Sequence, residues 1–267
     1  MGADTKSLRN RIRSVNSTLH LTRAMGLVAS SKIRKATQHL DKAREYTGAM
    51  DAVMDELRAA PECAKSPYMR PIGGGTRLIV IAGDRGLAGG YNANVFRLAA
   101  EQENMQILPI GKRACDRFGE GYTSCEHFTG EDAQKVAEEQ CEAFRAGEIS
   151  RLGILYTRYV SMMTQEPVIK WVLPLEKEAG TGMKPTIFEP DEQTVIDAAV
   201  PGYVAGILAA CVRESFASEV AARRMAMDSA GKNAQEMIDR LQLEYNRARQ
   251  NAITQELTEI VAGASEV

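Results

Sequence analysis

Leu8, Ile12, Val15, Leu19, Thr22, Gly26, Ala29, Ile33, Ala36 and Leu40 recur in alternating steps of four and three residues. That spacing is the seam of a coiled coil, one stripe of a helix turned toward a partner helix. Threonine, glycine and alanine in its middle make the seam thin and bring two backbones close. No proline occurs before Pro61. The pattern therefore predicts one helix over about residues 4–57, on the order of 80 Å long at about 1.5 Å per residue. The other end of the chain repeats the design. No proline follows Pro201, and Ile238, Leu241, Tyr245, Ala248 and Ala252 step three, four, three, four. Ile253, Leu257 and Ile260 are expected to carry the apolar face to the end. Two such helices most simply pair with each other, antiparallel. The alternative is a pair of ordinary amphipathic helices on a globular core. Length weighs against it, since globular helices commonly run about 8–20 residues.

The middle of the chain has a different rhythm. Leu78–Ala82, Gln106–Ile110 and Leu152–Thr157 are short apolar runs of strand length. Between them lie helix-like segments near Asn92–Gln102, Lys112–Phe118 and Asp132–Ala146. This alternation predicts a mainly parallel sheet covered by helices. Val168–Leu173, between Pro167 and Pro174, reads as one more strand. Pro61–Gly75 reads as a linker and Lys177–Pro190 as a loop. The expected fold class is α/β: a long antiparallel coiled coil of N- and C-terminal helices plus a central Rossmann-like α/β domain. The boundaries are 1–60, 61–193 with its linkers, and 194–267.

Charge adds a local feature rather than a global one. Across 267 residues, 33 Lys and Arg face 35 Asp and Glu, a net charge of −2, which singles out no partner. Residues 1–36, however, carry Lys6, Arg9, Arg11, Arg13, Arg23, Lys32, Arg34 and Lys35 against one acid, Asp4. Cys63, Cys115, Cys125, Cys141 and Cys211 are scattered, an odd number without a C-x-x-C pair. They fit buried thiols in a reducing compartment better than a disulfide framework. His20, His39 and His127 lie far apart, so no metal site is expected. No apolar run approaches the roughly 20 residues of a membrane span, and the polar helical pattern at the start leaves no room for a targeting peptide.

The most suggestive chemistry is Gly83–Gly90, GDRGLAGG, placed after an apolar strand and before a helix. Phosphate groups often sit in such a turn, held by backbone N–H groups at a helix N-terminus. The spacing is G-x-x-G-x-x-G-G, not the dinucleotide fingerprint G-x-G-x-x-G. It also lacks the Lys and hydroxyl of a P-loop. Gly111-Lys112 and Gly231-Lys232 are not followed by a hydroxyl residue either, and Asp84 would repel a phosphate. These glycines are expected to permit positive φ and close approach of the next helix, with Arg85 exposed on the turn. No nucleophile elbow or paired Cys and His context appears. Glu131, Asp132, Glu138, Glu139 and Glu142 have the helical spacing of a solvated face.

Three segments carry a resemblance. LRNRIRSVNSTLHLTRAMGLVASSKIRKA (Leu8–Ala36), GDRGLAGGYNAN (Gly83–Asn94) and ASEVAARRMAMDSA with YNRARQNAITQELTEIVAGA (both within Ala217–Ala264) resemble the gamma subunit of F-type ATP synthases. The order, spacing and length agree along essentially the whole chain. Residues 100–200 agree only in α/β character and length. The resemblance implies a rotating shaft that holds no nucleotide and no cofactor. Its coiled coil rises into a ring of three alpha and three beta subunits, and its α/β domain sits on the c ring beside epsilon.

Carried over by position, the resemblance implies beta-subunit contacts at Met25, Lys32, Arg34, Lys35, Arg85, Arg223, Arg249, Gln250, Thr254 and Glu256. It implies c-ring or epsilon contacts at Phe188 and Glu189. Met25 also reads as simple seam filler. Arg224 stands where the family usually has an apolar residue, which leaves its packing to be explained. Ala88 replaces the usual cysteine of the glycine motif, and the chloroplast insert with its cysteine pair is absent, so thiol switching is not expected. Neither nucleic acid nor direct nucleotide binding is implied.

Two other classes compete with the rotor. A Rossmann-like enzyme with helical arms lacks a phosphate or catalytic motif, and an unrelated coiled-coil adaptor does not account for both termini. A bacterial protein on the cytoplasmic face of the cell membrane, attached peripherally, is the expected setting.

Overall fold

The structure, a computed structural model, describes residues 2–60, 62–176 and 188–264. The chain forms α1 (Gly2–Ala59), two short 3-10 turns (Glu62–Lys65 and Pro67–Met69), β1 (Gly75–Ile81), α2 (Tyr91–Ala100) and β2 (Met105–Ile110). It continues with α3 (Lys112–Phe118), α4 (Gly130–Arg145), β3 (Ile149–Tyr159), β4 (Gln165–Leu173) and α5 (Glu192–Ala264). Residues 1–29 with 224–267 make one unit and residues 30–223 the other. Most of the expected loop 177–190 lies outside the described residues.

The first unit is an antiparallel helix pair. Arg9 of α1 donates to the Tyr245 hydroxyl at 3.3 Å and lies over its ring, while Arg23 reaches Gln235 at 3.5 Å. Numbers rise along one helix as they fall along the other. Leu19, Thr22, Gly26 and Ala29 are buried against a stripe containing Met227, Ala234 and Leu241. Leu8, Ile12 and Val15 are half-buried, as are Ile238, Tyr245, Ala248 and Ala252. The thin seam has a visible cause. A Cβ on Gly231 would stand 3.7 Å from the Thr22 hydroxyl oxygen, and one on Gly26 only 2.8 Å from Arg224 Nη1. Small side chains let the helices close.

One expectation fails here. Ile253, Leu257 and Ile260 do not continue the seam; they are 47%, 58% and 67% exposed. In the register set by Arg9 and Tyr245, Gly2 at the start of α1 stands opposite about Ala252. Past that point no described residue of α1 lies opposite α5. Ile253 is also one residue, about 100° of helix turn, off the stripe that ends at Ala252.

The second unit is a four-stranded sheet in the order β2-β1-β3-β4. β1 runs parallel to β2 and β3, and β4 is an antiparallel edge. Successive β1 side chains alternate between two cores, as the pleat requires. Leu78 and Val80 meet Val95 and Ala99 of α2 and Ala114 of α3. Ile79 and Ile81 share a larger core with Val136 and Phe144 of α4, Met54 and Leu57 of α1, and a row from α5. α4 starts on a reciprocal cap, Thr129 with Asp132, which satisfies two otherwise orphaned N–H groups. The segment read as a linker packs inward: Cys63, Ser66 and Tyr68 are buried, and Tyr68 stacks on Phe144 with ring centroids 6.2 Å apart.

α5 carries the one stretch among the described residues apolar and long enough to cross a membrane, which corrects the sequence expectation that no run nears that length. Its apolarity has a local use. Half of that window is buried, and Ile196, Val200, Val204, Ile207, Leu208 and Val212 belong to the larger core. A helix packed on the inside of a body is apolar for that reason.

None of the five cysteines forms a disulfide, and only Cys115 is more than marginally accessible. Burial pushes the Cys141 and Cys211 thiols up to about 12 and raises Cys125 well above its ordinary value. The thiolate is the reactive form. A thiol reagent at pH 8 should therefore modify Cys115 first and the other four only on unfolding. Rapid reaction of two or more thiols in the native chain would contradict this packing.

Candidate functional site

In an open, mostly parallel sheet, ligands bind beyond the carboxyl ends of the strands where the strand order reverses. Here that point lies between β1 and β3. The glycine loop Gly83–Gly90 follows β1 and forms one wall of the crevice. It uses its glycines partly as expected: Gly89 has φ +58, and Leu87 beside it adopts φ +61. The close approach, however, comes from α5 rather than from α2. A Cβ on Gly83 would lie 2.7 Å from Cδ of Glu219, whose side chain is almost fully buried. Where a dinucleotide's pyrophosphate would rest against the loop, this chain places its own carboxylate.

The surrounding contacts hold that arrangement. Arg223 pairs with Glu219 and donates to the carbonyls of Gly86 at 3.2 Å and Arg85 at 3.3 Å. The Tyr91 hydroxyl donates to the Ser215 carbonyl at 3.0 Å. Burial, followed by the nearby Glu219 charge, raises that phenol well above its ordinary pKa, so it stays a donor. Thr157 at the end of β3 is held twice: its N–H donates to Ser215 Oγ and its carbonyl accepts from Ser218 Oγ, each at 3.0 Å. Asp84 is an anchor rather than a repulsive element alone. Its carboxylate accepts from the N–H groups of Cys125 (2.8 Å) and Glu126 (3.2 Å) and from Ser124 Oγ (2.8 Å), fixing the 124–126 turn against the loop.

The residues marked from the sequence fall into separate settings. In the second unit Lys32 pairs with Glu126, and Arg85 approaches the other Glu126 oxygen at 3.9 Å. Arg34 and Lys35 are exposed. Arg223 is turned onto the loop, its side chain 13% exposed. Phe188 packs on the larger core and Glu189 is exposed. In the first unit Met25 is half-buried, and Arg249, Gln250, Thr254 and Glu256 are exposed along α5. The Thr254 hydroxyl donates back to the Gln250 carbonyl at 2.9 Å. Arg224 finds its room over Gly26, at the edge of a cavity of about 310 Å³ shared with Arg23, Asp228 and Lys232.

The sequence alone does not single out Glu214, Ser215, Ser218 and Glu219. Their signal was a polar stripe at i, i+4 spacing inside an alanine-rich helix, which a solvated face would also produce. Among the described residues no group of three His, Cys, Asp or Glu is placed to hold a metal.

By architecture the chain belongs to a class that combines an α/β unit, its crevice filled by its own long helix, with a unit that is an antiparallel helix pair. Comparison with known proteins gives that class a family. The family model described as ATP synthase matches residues 4–267. The ATP synthase gamma chain of Ruminococcus albus is 40% identical over 97% of this chain and 96% of that one. That of Alkaliphilus metalliredigens is 38% identical over 99% of each. The chain belongs to the ATP synthase gamma chain family. Among solved structures, a chain of the Euglena gracilis mitochondrial ATP synthase OSCP/F1/c-ring assembly matches with a TM-score of 0.69 at 19% identity. That match covers 99% of this chain and 95% of the other. A chain of the Tetrahymena thermophila central stalk and c-ring structure matches with a TM-score of 0.61, covering 79% and 99%. Both share the fold.

Glu219 in the crevice leads to a prediction. Titration of the isolated chain with Mg-ATP or Mg-ADP in a calorimeter should give no saturable heat. One stoichiometric site of micromolar affinity would mean that the crevice opens.

Proposed function

We propose that this chain is the non-catalytic rotor shaft of an ATP synthase, coupling ion flow through a membrane c ring to ATP synthesis or hydrolysis at beta subunits by rotation. The observation that carries this reading is α5. One helix of 73 residues fills the crevice of the α/β body and supplies one strand of the helix pair. A ligand-binding enzyme keeps that crevice open; a transmission element benefits from filling it. Two paired helices resist twisting better than one. Polar, weakly bonding residues exposed on its surface, such as Gln250 and Thr254, suit a shaft that must pass three equivalent partners without a preferred stop.

The partners in this reading are three alpha and three beta subunits, epsilon and the c ring, at the cytoplasmic face of a bacterial membrane. Met25, Arg249, Gln250, Thr254 and Glu256 face beta, as does the basic group Lys32, Arg34, Lys35 and Arg85, with Arg223 beside the loop. Phe188 and Glu189 lie toward the c ring and epsilon. Exposed ion pairs contribute about 0–1 kcal/mol each, enough to guide a turning surface and too little to stop it. The pairing of Lys32 and Arg85 with Glu126 keeps part of that charge occupied within the chain.

The test is the native complex. An affinity tag on this chain should recover alpha and beta subunits in threefold excess, and a probe on the chain should step in three equal turns during ATP hydrolysis. Recovery of the chain as a homodimer without those subunits would refute the reading.

A further inference from the structure

β1 ends at Ile81, and its last partner on β3 is Leu155. β3 continues to Tyr159, so the backbone groups of Thr157 and Tyr159 run past the neighbouring strand. Buried backbone donors and acceptors need partners, and α5 supplies them from its side chains. Ser215 Oγ accepts from Thr157 N, and Ser218 Oγ donates to Thr157 O. Glu214 accepts from Tyr159 N at 3.1 Å. From α1, Arg44 closes the group, donating to Tyr159 O at 3.0 Å and to Glu214 at 2.7 Å. Further along the same helix, Glu219 lies against Gly83 and Arg223 holds the loop carbonyls.

We propose that Glu214, Ser215, Ser218, Glu219 and Arg223 form a polar weld that carries torque between the α/β body and α5, and that they are positioning residues for coupling. This rests on the rotor reading. Ser215 and Ser218 are fully buried, a setting in which alanine would fill the space as well. Apolar contact is non-directional and resists separation more than sliding or turning. Hydrogen bonds are directional and weaken steeply with misalignment. The larger core therefore holds α5 on the body, while these bonds fix its rotation about its own axis and its travel along it. Spacing at i, i+4 and i+8 keeps Ser215, Glu219 and Arg223 on one face, so a single turned face engages β3 and the glycine loop together.

The experiment uses the assembled complex, with alpha and beta subunits fixed to a surface and a bead on an exposed position of the α/β body. The width of the bead's angular distribution during a dwell reads the torsional stiffness. For Ser215→Ala with Ser218→Ala, the directional bonds to Thr157 are lost and stiffness should fall about twofold, with a lower thermal unfolding midpoint because the buried Thr157 N–H and carbonyl are left unpaired. Ions pumped per ATP hydrolysed should fall with it under an opposing gradient. Should the double variant fail to assemble, Arg44→Gln, at a half-exposed side chain, should broaden the distribution in the same direction by less. An assembled variant with the parent's width overturns the weld while leaving the rotor intact. A parent complex that shows no stepping overturns the rotor reading itself.

Discussion

Gly111→Ala should destabilise the α/β body by about 3–5 kcal/mol, against a total of about 5–15 kcal/mol for a typical domain. Two costs coincide at this position. Gly111 has φ +96 and ψ 146, a region that side chains rarely adopt. A Cβ there would also overlap the Ala82 carbonyl oxygen and reach 2.9 Å from Cys125 Sγ. Neither neighbour can give way cheaply. The Ala82 N–H is held by the Ile110 carbonyl at 3.0 Å, and the Gly111 N–H by the Tyr122 carbonyl at 2.7 Å. Cys125 Sγ is itself bonded to the Ala82 carbonyl.

Gly119→Ala separates the two costs. Its φ is +110, but its Cβ would meet nothing within 4 Å, so strain alone should cost about 1–2 kcal/mol. Trp171 is the only tryptophan. It lies in β4 of the same body, with the Arg151 guanidinium 3.6 Å above its ring, so its fluorescence in a denaturant series reports this unit. Equal midpoints for the two variants would mean that the β1 and β2 ends yield to the extra methyl group.

The same residues show what a sequence can carry. The seam from Leu8 to Leu40 was legible because each position repeats one local rule, and the buried positions follow it residue by residue. The strands were legible for the same reason, as were α3 and the parallel order implied by alternation. The polar teeth of α5 were not. Ser215 and Thr157 are 58 residues apart, and nothing near either marks the other as its partner. Arg224 looked misplaced because its room is the missing side chain of Gly26, again on a distant segment. The membrane-length apolar window of α5 does not read as a continuous run because polar residues break it in the sequence, while the folded helix turns its apolar positions into the core. The end of the seam depended on register, which one strand of a pair cannot state. Asp84 was read by its charge alone, yet its place in the fold is set by the N–H groups of a turn forty residues on.

That exhausted register yields the second large effect. A chain ending at Gln250 should fold as well as the full-length chain yet deliver much less torque once assembled. Beyond Gln250 only Ala252 is half-buried among the described side chains, and Ile253, Leu257, Ile260 and Val261 are 47–68% exposed. Removing them takes little apolar area out of this unit's packing, so isolated-chain stability should change by less than about 1 kcal/mol. Ile253, Leu257 and Ile260 recur at i, i+4 and i+7, which makes one apolar stripe. A contiguous exposed stripe of large side chains marks a surface that another protein covers. In the rotor reading its cover is the bearing inside the alpha–beta ring, with Thr254 and Glu256 beside it. Loss of the stripe frees the tip to lean under load, and torque should fall to about half as the partner contacts of one helix end disappear. The measurements are thermal unfolding of the isolated chain and the rotation speed of a viscous load on the complex. Parent torque in the truncated complex would place the working contacts below Gln250, and a matching loss of chain stability would make the stripe part of the fold.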